Sequence, residues 1–140
     1  MQTQRTRFGL AVRLEQGEEV VAALRELAVR ESLRAGMITA IGAVGDPELG
    51  YFARRTRVYE RRTLPGEWEI TSLMGNFSEL EGAPFPHLHV VLGGADFSAV
   101  AGHLFRGVVT VTCEAMIATD PGVLHRVTRP ELGFNPLELG

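Results

Sequence analysis

The chain has 140 residues, 45% hydrophobic and 22% charged, with a formal net charge of −3 at pH 7. This is the balance of one ordinary globular domain spanning residues 1–140 and excludes a disordered or fibrous chain. Its apolar runs, such as that around Val108–Val111, fall far short of the roughly 20 residues a membrane-spanning helix needs, so no membrane partner is expected.

The N-terminal "MQTQRTRFGLAVRLEQGEEV" has no apolar core and no small-residue cleavage site of a secretory signal, which points to the cytoplasm. Within it Phe8, Leu10, Val12 and Leu14 alternate, placing them on one face of a first strand. From Glu18 the period changes. Val20, Leu24, Leu27 and Ala28 fall on one helical face, Glu18 and Glu19 sit at the positive end of the dipole, and Gly36 is the natural stop.

"MITAIGAVGDPELGYF" reads as two strands joined near "GDP", and "RVYERRTL" as an edge strand. "GEWEITSLMGNFSEL" alternates through Trp68, Ile70, Ser72 and Met74, a strand ending at Gly75-Asn76. "HLHVVLG" is a strand, "DFSAVAGHLF" a helical or turn-like link, "VVTVTCEAMI" a long strand, and residues 129–140 an irregular tail. One clear helix, six or more strands and no repeated βαβ unit give an α+β domain with a mostly antiparallel sheet.

Three of the four histidines fall within "PHLHVVLGGADFSAVAGHLFRG". In a strand His87 and His89 point the same way, about 6.6 Å apart along the backbone. His103, presented after a reversal through "GGAD", supplies a third nitrogen. Three imidazoles with one position open suit zinc or another divalent transition metal. His125 has no local partner and reads as an ordinary residue.

Other chemistry finds less support. The histidine-triad nucleotide hydrolases need a third alternate histidine where Val91 stands, and cupins a glutamate among Val91 to Gly94. There is no G-x-S-x-G elbow, and "IGAVGDPELG" lacks the dinucleotide or phosphate-loop spacing. Cys113, alone in a β-branched run, reads as a small buried thiol. All 14 basic residues are arginine, and Arg54, Arg55, Arg57, Arg61 and Arg62 form a patch that serves either as a solvated hairpin or as a phosphate-binding surface.

"AGMITAIGAVGDPELGYF", "GEWEITSLMGNFS" and "PHLHVVLGGADFSAVAGHLFRGVVTVTCEAMI" together resemble the plants-and-prokaryotes-conserved (PPC) domain over about residues 7–120. The resemblance implies an α+β homotrimer, bacterial or archaeal as a stand-alone protein. In plants the domain follows an AT-hook, which this chain lacks, so a DNA partner is expected to be weak. Prokaryotic members that carry the histidines look like metal proteins, and the matching positions are His87, His89 and His103. Gly66, Glu67, Trp68, Glu69 and Ile70 match the plant partner-contact block, with tryptophan where phenylalanine is usual, so other proteins are also candidate partners.

These readings give a homotrimeric binding or regulatory module with a three-histidine, zinc-type site and an unassigned ligand. Two alternatives stay open: a DNA-binding regulator without an AT-hook, and a metal-dependent, hydrolase-like enzyme. The enzyme needs a general base near the metal, for which Glu114, Glu81 and Asp96 are the available carboxylates.

Overall fold

A computed structural model describes residues 1–140. The N-terminal segment is a hairpin rather than one strand. β1 (Gln2–Thr6) pairs antiparallel with β2 (Gly9–Glu15), and Phe8 lies exposed in the turn between them. Leu10, Val12 and Leu14 are buried as their alternation requires.

Helix α1 (Val20–Arg30) packs Val20, Ala23, Leu24, Leu27 and Ala28 into the core. Its N-cap is Glu19, whose carboxylate accepts from the Val21 and Ala22 amides. The helix stops short of Gly36. Ser32 takes the left-handed position at φ 52°, and Leu33 N donates to Ala28 O while Ser32 N donates to Val29 O. That is the Schellman pattern, closed here by serine instead of glycine.

"GDP" does not turn the chain. β3 runs unbroken from Gly36 to Ala53 and absorbs its glycines as register shifts. Gly42 sits at φ 155°, and a Cβ there would lie 2.2 Å from Thr112 O, so the bulge requires glycine. β4 (Val58–Thr63) pairs only with β3, as an edge strand. β5 (Glu67–Leu80) continues through Gly75-Asn76, because β3 and β6 (Ala83–Gly93) pair with it on both sides.

The largest departure is after Gly94. A tight turn with Phe97 at φ 64° leads straight into β7 (Ala99–Thr119), so "AVAGHLF" is strand and not a helical link. The segment gains its hydrogen bonds from the edge of β6, a non-local pairing invisible in local propensity. The segment after β7 also has some order. β8 (His125–Arg126) adds parallel to β5, and β9 (Leu137–Glu138) pairs with β8.

Every other strand pairing is antiparallel, and β7–β3–β5–β6–β7 closes into a circuit. The result is a single α+β-like domain with a mixed sheet. Leu73, Phe77, Leu88, Leu92 and Leu104 line one sheet face together with the helix. No helix is long and apolar enough to cross a membrane.

Candidate metal centre

The strand period decides which residues meet on the opposite, uncovered face. On β6, Leu88, Val90 and Leu92 are buried, so His87 and His89 point outward. His89 is the register partner of His103 on β7, and directly paired residues of antiparallel strands share a face. Two strands thus bring three imidazoles together. Their ring centroids lie 5.1–5.4 Å apart, and one ligand nitrogen from each falls within 4.8 Å of the others.

The three sequence-selected histidines therefore converge, with His103 on a strand and not on a return loop. A tetrahedral zinc ion would set its nitrogens about 3.4 Å apart, within reach of small side-chain rotations. The residues fit such an ion in a second respect. His103 Nδ1 is buried without a hydrogen-bond partner, an orphaned atom whose desolvation calls for one.

Burial, followed by the positive charge of Arg126 and the neighbouring His89, lowers the His87 pKa to about 4. His103 is also lowered to about 4, first by burial and then by His87, His89, Arg61 and Arg126. Both imidazoles are neutral at pH 7, the form that binds metals.

Four neighbours escaped the sequence reading. Asn76 is the register partner of His87 on β5. Arg126, from β8, donates through Nη2 to Asn76 Oδ1 at 2.8 Å and to His87 Nδ1 at 3.1 Å. Its Nε donates to Ser78 Oγ and its Nη1 to the Asn135 carbonyl. Tyr59 and Phe105 pack on His103 with centroids 5.2 and 4.5 Å away, and Arg61 stacks over Phe105 at 3.5 Å. Only a period-2 pattern on residues 99–105 could have pointed to Phe105; Arg126 had no local signal.

The carboxylates considered as bases do not join the cluster, which contains imidazoles alone. Glu114 lies eleven residues farther along β7, opposite Ile41 and Arg13. Asp96 accepts from Ser98 N and Oγ, and Glu81 from Thr128 Oγ1. His125 stands apart, its Nδ1 3.5 Å from Glu79 Oε1. Cys113 is buried, which raises its thiol to about 11 and leaves it inert.

The arginine patch follows the β3–β4 hairpin. Arg54, Arg55 and Arg62 are exposed, Arg57 Nη1 donates to the Glu131 carbonyl, and Arg61 pairs with Glu48 at 3.4 Å. Two of the five are thus already engaged.

Solved structures similar to this chain include a candidate DNA-binding protein from Bacteroides thetaiotaomicron, 28% identical with a TM-score of 0.93, covering 98% of this chain and 96% of that one. A plant- and prokaryote-conserved protein from Pyrococcus horikoshii is 29% identical with a TM-score of 0.86, covering 99% and 94%. A metal-containing protein from Archaeoglobus fulgidus is 29% identical with a TM-score of 0.84, covering 92% and 91%. No curated protein shows significant similarity. The model of the Plants and Prokaryotes Conserved domain matches residues 2–120, and the chain belongs to that family.

Proposed function

We propose that this chain is a metal-binding PPC module in which His87, His89 and His103 hold zinc or another divalent transition metal. The observation that carries the reading is the convergence of three imidazoles, with one nitrogen of each within 4.8 Å of the others, and the partnerless Nδ1 of His103 supports it. The metal-containing Archaeoglobus relative supports it. Elemental analysis of untagged protein is expected to give about one ion per chain. Protein that takes up no metal after zinc addition overturns the reading.

The module acts as a homotrimer. Met37, Ile41, Met74 and Met116, each more than half exposed, stand on the same sheet face as the histidines, with Thr39 in register between Met74 and Met116. An apolar strip of this kind is what a partner subunit covers. Light scattering at micromolar concentration checks it, and a monomer counts against it. A binding or regulatory role is favoured over hydrolysis because, of the carboxylates weighed as general bases, Asp96 and Glu81 are engaged by Ser98 and Thr128 and Glu114 lies opposite Arg13 and Ile41. DNA is a secondary partner, supported by the candidate DNA-binding relative from Bacteroides thetaiotaomicron and by Arg54, Arg55 and Arg62.

A further inference from the structure

Arg126 is only 9% exposed, and a buried charge is normally paired because an unpaired one is costly to desolvate. Its four partners are all uncharged: Ser78 Oγ, the Asn135 carbonyl, Asn76 Oδ1 and His87 Nδ1. Glu79, beside it on β5, is taken by Arg34 and His125. The chain supplies no anion to this guanidinium.

The donor count points the same way. A guanidinium has five N–H groups, so the four bonds leave one free on Nη1. Because arginine can only donate, the lone pair of neutral His87 is on Nδ1 and faces Arg126. An ion held on that nitrogen takes the lone pair and releases an Nη2 N–H. Arg126 then has one N–H on each terminal nitrogen, beside a centre whose imidazole ligands bring no negative charge. Both positive groups lack a counter-charge.

We infer that the histidine site takes a small carboxylate as its ligand and that Arg126 is the residue that binds its negative charge. The inference rests on the metal-site reading for the second positive charge, and on Arg126 alone for the first. A planar carboxylate matches the two parallel N–H groups of a guanidinium. A phosphate dianion has more acceptor oxygens than the one amide of Asn76 and the two N–H groups can serve. Arg126 also lies beyond residues 2–120 matched by the family model, so the ligand's recognition residue comes from the segment after β7.

The test uses the full chain loaded with cobalt(II), whose visible spectrum reports changes around the ion, titrated with acetate, benzoate, inorganic phosphate and neutral acetamide. Acetate and benzoate are expected to shift the spectrum saturably, and acetamide to do nothing. Arg126→Lys keeps the charge but loses the planar fork, and should weaken acetate about tenfold while cobalt uptake persists. Asn76→Asp sets a fixed carboxylate beside Arg126 and should weaken acetate by a similar factor, which keeps the test decisive if Arg126→Lys does not fold. Equal acetate affinity in wild type and the folded variants overturns the role of Arg126. Phosphate binding tenfold tighter than either carboxylate overturns the ligand class. If cobalt is not taken up, the metal reading fails by itself, and calorimetry on the metal-free protein decides the remainder: Arg126-dependent acetate binding upholds the anion site, and no binding overturns it.

Discussion

Nη2 of Arg126 donates to Nδ1 of His87 across 3.1 Å, so a residue of the short strand β8 fixes the tautomer of a histidine in the middle of the sheet. The guanidinium and any metal ion compete for one lone pair. Arg126→Met removes the positive charge, leaves the volume roughly filled, and strips Ser78 and Asn76 of a donor. It is expected to tighten cobalt uptake while lowering folding stability by about 1–3 kcal/mol. Competition with a chromophoric chelator and urea unfolding measure the two effects. Weaker cobalt binding in a folded variant contradicts the competition.

A pH dependence follows for the metal-free protein. In the unfolded chain His87 and His103 titrate near the ordinary 6.5, whereas in the fold both are lowered to about 4 by burial first and neighbouring positive charge second. Above pH 6.5 both states are neutral and the fold bears no proton-uptake penalty. As pH falls from 6.5 to 4 the unfolded chain binds protons that the folded site refuses, so stability drops, and below about 4 the loss levels off. Urea midpoints at pH 7.5, 5.5 and 4.5 should fall in that order. A His103→Gln variant should flatten the profile, and an unchanged slope in it would point to other groups.

Adding metal should counter that loss. An ion that binds only the folded state stabilises it by about 2.7 kcal/mol at a hundredfold excess over Kd, read as a rise in Tm. His103→Ala removes the ligand with the orphaned Nδ1 and should abolish the rise. A Tm increase that survives in His103→Ala would place the metal elsewhere.

Much of the site was legible because a strand's period is local. H-x-H in an alternating apolar run sets His87 and His89 on one face whatever the fold. His103 was legible as a residue but not as a position, since "DFSAVAGHLF" becomes strand only by pairing with β6. Gly75-Asn76 resembles a turn in isolation, yet β5 has partners on both sides and runs through it to Leu80. Arg126 was beyond reach, because 39 residues separate it from His87 and nothing near it in sequence shows the contact. Helix α1 lay where its apolar face said, but its end was set by Ser32 rather than Gly36.

Gly75 offers a backbone test of the same region. A Cβ there would stand 2.1 Å from the His87 carbonyl oxygen and 2.9 Å from Leu88 Cδ2, so β6 would have to move where it carries a site histidine. Gly75→Ala should cost about 1–3 kcal/mol or more as overpacking and weaken zinc uptake. Gly66→Ala is the control for glycine loss without crowding, since no atom lies within 4 Å of its Cβ position, although its φ of 86° brings backbone strain. Equal zinc affinity in folded Gly75→Ala and wild type would show that the site tolerates displacement of β6.

Duplex binding should be weak and governed by salt. Of the five hairpin arginines, Arg57 is tied to Glu131 and Arg61 to Glu48 and the Phe105 ring, leaving Arg54, Arg55 and Arg62 to meet phosphates. Each neutralised phosphate contributes about −0.9 to the slope of log K against log salt, so one such patch gives a slope of about −3 at most. Phosphate contacts carry no base information, and A·T-rich and G·C-rich duplexes should bind alike. Fluorescence anisotropy with both duplexes across a salt series checks slope and preference together, with Arg54, Arg55 and Arg62 replaced by serine as the control. Tight, A·T-selective binding that survives those replacements would mean that another surface enters the groove. The hairpin would then be a solvated edge of the sheet, its charges serving to keep β4 from pairing with a further strand.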